Sequence, residues 1–453
     1  MAGLTFYGGI HPYDGKELSR DCAVQTLFPE NGEMVFPLVQ HIGRPSIPIV
    51  NIGDRVRTGQ LIAVAEGELS ANLHSSVSGR VVAIEPRRVV GGGWIPSIVI
   101  DNDGLYLEVV YPENRRLETL NKETVLRTIQ AAGIVGMGGS GIPTQYKLQN
   151  AGTADIDTVI ANCVECEPYL TSDYRRILEN PWKIINGLMI MLTVFPRARG
   201  FIAVSENNVE GYHLLRDLLK DNDRIYVKRL RNKYPQGSER QLIYALTGRT
   251  LNAKMLPYDI GCVVQNTDTL VAINQAVIMH EPLITRIVTV SGDGVREPGN
   301  FRVRIGMSCR DILEQAGGLK PGLTRRSVLI LDEGPMMGSV IDDLDVPVTK
   351  LTSGIIVMVK DNIPYQEETP CTRCGRCVDA CPNNLNPLVL EKDVTKGNDQ
   401  KFIDHNGLEC CGCGCCSYIC PSKIQLSARI YAKKRAIMQD PAMAGDYARR
   451  FTR

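Results

Sequence analysis

Ten of the fifteen cysteines in this 453-residue chain fall between Cys371 and Cys420. They read Cys371-Thr-Arg-Cys374-Gly-Arg-Cys377-Val-Asp-Ala-Cys381-Pro382 and, after a polar insert, Cys410-Cys411-Gly-Cys413-Gly-Cys415-Cys416-Ser-Tyr-Ile-Cys420-Pro421. The spacing C-x2-C-x2-C-x3-C-P thus occurs twice. Three thiolates so spaced wrap one face of an iron–sulfur cubane, the turns between them turn backbone N–H groups toward the sulfides, and proline ends the loop. Two [4Fe-4S] clusters are expected. Four-cysteine zinc sites instead pair two C-x2-C units across a longer loop, and disulfide frameworks belong to small secreted chains, so both are weaker readings. Cys411 and Cys415 lie off the pattern, either as packing residues or as rival ligands.

A second stretch is glycine-rich: Gly133-Ile-Val-Gly136-Met137-Gly138-Gly139-Ser-Gly141-Ile142-Pro143-Thr144-Gln-Tyr-Lys147. Glycines at this density let backbone amides approach a bound group. Pro143 suits the first turn of a helix whose N-terminus attracts phosphate, and Lys147 falls about a turn into that helix. Alone, such a loop reads equally well as a tight turn. Its neighbours add weight. A strand-like run at 156–161 ends in Asn162-Cys163-Val-Glu165-Cys166-Glu167-Pro168, polar groups at a strand's C-terminal end, where α/β sheets bind ligands. Farther on come Tyr234-Pro-Gln-Gly237-Ser238-Glu239 and Gln265-Asn266-Thr267-Asp268-Thr269, the latter opening a helix. Cys163 and Cys166 form a C-x2-C pair without a second pair nearby, and are read as part of this loop.

These groups need elements to hold them, and the chain is long enough for about three or four domains. Residues 45–84 carry short β-branched runs separated by Gly53-Asp54 and Ser78-Gly79 turns, which predicts small antiparallel strands. From about Asn121 the texture alternates between a helix at 123–131, strands at 156–161, 200–204 and 225–230, and helices near Asn207, after Glu239 and over 270–279. Residues 284–319 read as strand, Pro298-Gly299 turn, strand and a helix ending in Ala316-Gly317-Gly318.

Lys+Arg at 51 against Asp+Glu at 50 gives no sign of a nucleic-acid partner. The most apolar window, 184–195, is too short to cross a bilayer and is broken by Asn186 and Gly187. The first residues lack the basic start and apolar core of a secretory signal, and the clustered cysteines suit a reducing compartment, so a cytoplasmic location is expected. Arg429, Lys433, Lys434, Arg435, Arg449, Arg450 and Arg453 make the end of the chain basic, as a solvated helix face or a docking surface. His11, His41 and His74 read as ordinary surface or core histidines.

Several stretches resemble known families. Residues 45–84 are similar to the barrel-sandwich fold of biotinyl and lipoyl carriers, but there is no lysine between Lys16 and Lys122 to carry a swinging arm, which leaves a structural or docking module. The doubled cysteine run resembles bacterial two-cluster ferredoxins, in which the fourth cysteine of each run ligates the other cluster. That resemblance implies Cys371, Cys374, Cys377 and Cys420 on one cluster, and Cys410, Cys413, Cys416 and Cys381 on the other. The motifs Gly-x-Gly-Gly-x-Gly-x-Pro-Thr-x-x-Lys, Asn-x-x-Glu-x-Glu-Pro, Tyr-x-x-Gly-x-Glu and Asn-x-x-Thr occur in the same order in the flavin-carrying, NADH-oxidising subunit of respiratory complex I. By that likeness Gly136, Gly138, Gly139, Lys147, Asn162, Glu165, Cys166, Asn266 and Thr269 contact FMN, while Glu167, Gly237 and Glu239 face the nicotinamide nucleotide. Met137 stands where complex I has arginine, Ile142 where it has an aromatic, and Ser238 where it has an acid. Residues 284–319 look like a soluble-ligand-binding (SLBB) β-grasp module, which with no charged constellation to mark a pocket is expected to be a spacer.

The complete order, opened by Phe6-Tyr-Gly-Gly-Ile-His-Pro12, resembles the RnfC family of Rnf ferredoxin:NAD oxidoreductases, without a long Ala/Lys-rich tail. The implied fold is multidomain α/β and α+β: a barrel-sandwich hybrid over 1–115, a Rossmann-like FMN/NADH domain over 116–282, the SLBB β-grasp over 283–362, a two-cluster ferredoxin-like α-helical domain over 363–430 and a basic tail over 431–453. A nicotinamide exchanges two electrons as a hydride and a cluster takes one, so a flavin must stand between them. The family implies electrons passing between two [4Fe-4S] clusters, FMN and NAD(H) at the cytoplasmic face of the membrane, coupled to Na+ or H+ movement. Its partners are a ferredoxin-like subunit and integral membrane subunits, which supply the only membrane contact. Two alternatives stand beside it: a soluble relative feeding NADH electrons to a cobalamin or amino-acid reductase, and a cluster-bearing scaffold without flavin.

Overall fold

A computed structural model describes residues 4–139, 141–363, 367–440 and 443. The β-branched runs near the start form two small sheets. One orders Gly32–Pro37, Trp94–Asn102, Gly79–Arg88 and Arg55–Val56, and the other Ile47–Pro48, Leu61–Val64 and Leu73–His74. Met34, Phe36, Ile62, Leu73, Val81, Ile98 and Ile100 from both sheets share one core. Here His41 and His74 are largely buried, and that burial pushes their imidazoles down to about 4 and about 3, so both are neutral.

The first two dozen residues differ from the expected barrel domain at 1–115. They run as an extended strap along the other domains. Leu4 bridges Leu230 and Ile10 bridges Tyr234, the Gly9 N–H donates to the Ala380 carbonyl (2.9 Å), and Val24–Leu27 pairs in parallel with Gly299–Arg304. The physical reason is an open edge: Gly299–Arg304 would otherwise present unpaired backbone groups, and the strap covers them.

In the central domain four parallel strands take the order Ile225–Leu230, Arg199–Ser205, Thr158–Cys163 and Cys262–Asn266. The first three in the sequence run outward to one side, and the fourth returns to the other side of Thr158–Cys163. That reversal opens a crevice at the strands' C-terminal ends. The apolar window at 184–195 belongs to the helix Pro181–Val194, packed against Thr267–Met279. Gly187 is required at the crossing, since a Cβ there would lie 2.2 Å from the Leu270 carbonyl oxygen. Among the described residues no helix is long and apolar enough to cross a membrane.

The β-grasp sheet has six strands, ordered Val24–Leu27, Gly299–Arg304, Thr285–Ser291, Gly354–Val359, Val328–Asp332 and Ser339–Val340. The cysteine-rich region packs short helices around Leu390, Phe402, Leu408, Leu426 and Ile430. Its last helix, Leu426–Gln439, runs straight through the expected boundary at residue 430. Arg429 pairs with Glu368 and Glu391 (2.7 and 2.8 Å), Lys433 pairs with Asp399, and Lys434 donates to the Cys410 carbonyl (2.8 Å). These bases staple the domain rather than forming a solvated face or a docking surface. Arg435 is exposed, and Arg449, Arg450 and Arg453 lie outside the described residues.

A candidate nucleotide crevice beside two thiol hollows

The glycine stretch folds back on itself. The Gly136 N–H donates to the Ile142 carbonyl (2.8 Å), Gly141 N–H to Gly136 (2.9 Å) and Thr144 N–H to Ile134 (2.9 Å). Gly139 (φ +82) and Gly141 (φ +60) hold the left-handed conformations that make the turn, which a side chain disfavours. Gly138 lies against Asn266, 3.1 Å from where a Cβ would sit. The buried Met137 donates its N–H to the Thr269 hydroxyl (3.1 Å), so Thr269 braces the loop from behind. The helix Thr144–Ala151 follows with no side-chain cap on its first turn, and the buried Thr144 hydroxyl has no partner.

This loop and the strand ends enclose a crevice of about 560 Å³. Gly136, Gly138, Gly139, Lys147, Asn162, Cys166, Glu167, Gly237, Glu239 and Asn266 all line it. Asn162 donates to the Gly237 carbonyl (2.8 Å) while the Gly237 N–H donates to the Cys166 sulfur (3.2 Å), clipping two strand-end loops together. Lys147 donates to the Val264 carbonyl (2.7 Å) and pairs with Glu239 (3.0 Å). Asn266 caps the helix Thr267–Met279 and donates to Asp173 (3.1 Å). Glu165 and Thr269 are absent from the wall. Glu165 (φ 45) instead accepts the Asp173 N–H (2.8 Å), capping the helix Ser172–Glu179. Burial pushes the Cys163 and Cys166 thiols up to about 12 and about 11, so both stay protonated near neutrality.

The β-grasp module is more than the expected spacer. Its 333–338 turn donates the Met336 and Met337 N–H groups to Glu167 Oε1 (2.8 and 3.2 Å), and Met337 lines the crevice. Gly334 leaves the room, since a Cβ there would lie 2.4 Å from the Glu167 carboxyl. Backbone donors in a turn carry no charge for the sequence to announce. Burial, opposed by those two N–H groups, pushes the Glu167 carboxyl up to about 7.

The thiols gather as two sets. Cys371, Cys374, Cys377 and Cys420 ring one hollow, and Cys381, Cys410, Cys413 and Cys416 ring the other. All fifteen cysteines are free, and among the described residues no three His, Cys, Asp or Glu side chains close in on a single metal ion. Thiols spread around a hollow suit a cubane, whose irons sit at separate corners. Cys415 is fully buried against Ile10, Tyr234 and Ala380, as a packing residue. Cys411 lines the inner hollow and the crevice alike, and so does Cys413. The join is fastened by the Tyr234 hydroxyl donating to the Cys413 carbonyl (2.8 Å), Gln241 donating to the Pro382 carbonyl (3.1 Å) and Arg240 pairing with Glu409 (2.8 Å). Cys371 and Cys374, in the outer set, are exposed.

A flavin fits these residues. Gln265 on the crevice wall is only 2% exposed, and its buried Nε2 has no partner, leaving a donor for a bound group. Sequence reasoning missed Ile42, Leu69, Tyr146, Tyr258 and Met337 on the wall; none stands in a strand-end polar motif.

Matches to known families cover most of the chain: the RnfC barrel-sandwich hybrid domain over residues 4–105, the Nuo51 FMN-binding domain over 129–275, the SLBB domain over 287–340 and a 4Fe-4S dicluster domain over 370–424. The RnfC protein of the proton-translocating ferredoxin:NAD(+) oxidoreductase complex of Clostridium ljungdahlii is 39% identical over 88% of this chain and 87% of its own. The chain belongs to the RnfC family. The counterpart from the Na(+)-translocating complex of Acetobacterium woodii is 37% identical over 96% of this chain and 97% of its own. Among solved structures, an NAD+-reducing [NiFe]-hydrogenase in its H2-reduced state aligns at TM-score 0.48 and 16% identity, over 74% of this chain and 67% of that one. As a member of the RnfC family the chain carries an FMN-binding domain and a two-cluster [4Fe-4S] domain, and the crevice and the two hollows lie within those two matches.

Proposed function

We propose that this RnfC-family chain passes electrons between a partner's reduced ferredoxin-type centre and NAD(H), at the cytoplasmic face of a membrane complex whose other subunits move Na+ or H+. The relatives' names support it, since they are subunits of ferredoxin:NAD(+) oxidoreductases that translocate protons or Na+. One observation carries the reading. Cys413 stands both in the inner thiol hollow and on the crevice wall, while the outer hollow opens to the surface. Nucleotide site, inner thiols and outer thiols therefore form a line.

FMN bound in the crevice supplies the exchange between a nicotinamide's hydride pair and the single electrons that clusters accept. The chain's own residues bind and orient. Backbone amides of the glycine loop and the spare Gln265 donor meet the flavin. Lys147, Asn162, Cys166 and Asn266 shape its wall, and Glu165 and Thr269 hold that wall from behind. Glu167, Gly237 and Glu239 face the nucleotide. Cys371, Cys374, Cys377 and Cys420 hold one cluster, and Cys381, Cys410, Cys413 and Cys416 hold the other.

The test is NADH-dependent reduction of an artificial acceptor by the purified chain reconstituted with FMN, iron and sulfide. Lys147→Ala and Glu167→Gln are expected to lower the rate, and a flavin absorbance band is expected after desalting. Activity indifferent to both substitutions would remove the pocket from the reaction.

A further inference from the structure

The barrel-sandwich domain has no lysine for a prosthetic arm, yet two of its turns reach the crevice. One presents Ile42, whose N–H donates to the Gly141 carbonyl (2.8 Å) at the end of the glycine loop. The other presents Leu69. The two are stitched together: the Arg44 N–H donates to the Leu69 carbonyl (3.0 Å), and His41 Nε2 lies 2.9 Å from the Arg44 carbonyl and 3.2 Å from the Ser70 hydroxyl. Gly43 (φ +113) permits this approach, since a Cβ would lie 1.9 Å from the Leu69 carbonyl oxygen. Lys350 fixes the same junction from below, donating to the Asn72 carbonyl of the barrel (2.6 Å) and to Gly133 at the root of the glycine loop (2.7 Å). Two aliphatic side chains are thus held firmly against a nucleotide-sized crevice by a domain that is not part of its sheet.

Their position suggests what they touch. The reacting ring must lie by Cys166, Tyr234 and Cys413, next to the inner thiols. The rest of a dinucleotide then extends along the glycine loop, past Ile142, to the barrel side. A purine base there needs an apolar face to cover it, and position 142 offers an aliphatic side chain rather than a ring. We propose that Ile42 and Leu69, together with Ile142, form the platform that packs against the adenosine half of NAD(H). The barrel-sandwich domain is then a specificity wall of the nucleotide site. This rests on the reading of the crevice as the NAD(H) site.

The experiment compares NADH with reduced nicotinamide mononucleotide, which carries the same reacting ring and lacks adenosine. The reconstituted full chain and its Leu69→Ala and Ile42→Ala variants are assayed with an artificial acceptor. The ratio of the NADH KM to the mononucleotide KM is expected to rise roughly tenfold in each variant, the scale of a lost aliphatic contact. An unchanged ratio, including one in which both KM values move together, overturns the inference while leaving NADH oxidation intact. A wild-type chain that fails to oxidise NADH overturns the parent reading and this one with it. If truncation costs flavin, Leu69→Met and Leu69→Gln keep the bulk and differ in polarity. A higher ratio in Leu69→Gln alone supports the platform, and equal ratios sink it.

Discussion

Glu167 and Lys350 sit on opposite sides of the glycine loop, and each is held near neutrality by burial, with opposite consequences for stability. Glu167 titrates at about 7 in the fold, above its ordinary 4.5. The folded chain therefore keeps a proton that the unfolded chain releases. The stability this contributes is complete below about pH 4.5 and lost as pH rises through 7. Glu167→Gln fixes the neutral form and keeps an acceptor for the Met336 and Met337 amides. Relative to wild type, it is expected to gain on the order of 2–3 kcal/mol between pH 4.5 and 8, read as a difference in urea midpoints across that range. Lys350 is pushed down by burial to about 7, from 10.5. Its contribution is complete above about pH 10.5 and lost as pH falls toward 7, so wild-type stability from this group climbs between those values. Lys350→Met should flatten that climb. It also leaves the Asn72 and Gly133 carbonyls unpaired, at about 1–3 kcal/mol. A variant whose pH profile still climbs like wild type would show that Lys350 is not the titrating group.

Among the elements, the strap opening the chain ties three domains at once, and its glycines show how closely it is fitted. Gly8 (φ +78) rests on the inner cysteine run, where a Cβ would lie 2.7 Å from the Cys381 carbonyl oxygen. Gly8→Ala incurs both the left-handed strain, about 1–2 kcal/mol, and that collision. It is expected to lift the strap from Cys381 and speed bleaching of the inner cluster's visible absorbance in air, with the crevice's flavin retained. Bleaching at the wild-type rate would mean that the strap does not shield those thiols. The strap also marks where the sequence stops being legible. Cysteine spacing, the glycine loop and the strand-end polar groups are local patterns, and local geometry fixes them, so both hollows and ten of the crevice residues are readable from the chain. Val24–Leu27 is a short polar-and-apolar strand whose choice of sheet depends on an edge nearly three hundred residues away. Ile42, Leu69 and Met337 are apolar residues in turns, and only the packing of separate domains turns them toward the crevice. Glu165 and Thr269 belong to the right motifs, yet they face backbone N–H groups, because a helix start and a glycine turn needed acceptors first.

At the scale of the whole molecule the domains set an order for electron movement, and removing one thiol from each hollow tests it. The crevice touches the inner set through Cys413, and only the outer set reaches the surface, through Cys371 and Cys374. With the chain reconstituted, Cys374→Ser is expected to weaken the outer site and Cys413→Ser the inner one, each by losing a soft donor. A small acceptor that enters the crevice bypasses both sites, so NADH-driven reduction of such a dye should persist in both variants. A protein acceptor too large for the crevice must take electrons at the exposed thiols, so its reduction should collapse in both. The variants part at the paramagnetic signal that NADH develops. The Cys374→Ser chain should keep the inner cluster's signal, because its connection to the crevice is intact, whereas the Cys413→Ser chain should develop neither. A Cys413→Ser chain that still reduces its outer cluster from NADH at the wild-type rate would mean that electrons leave the crevice by another route, and the linear order built on that shared wall would fall.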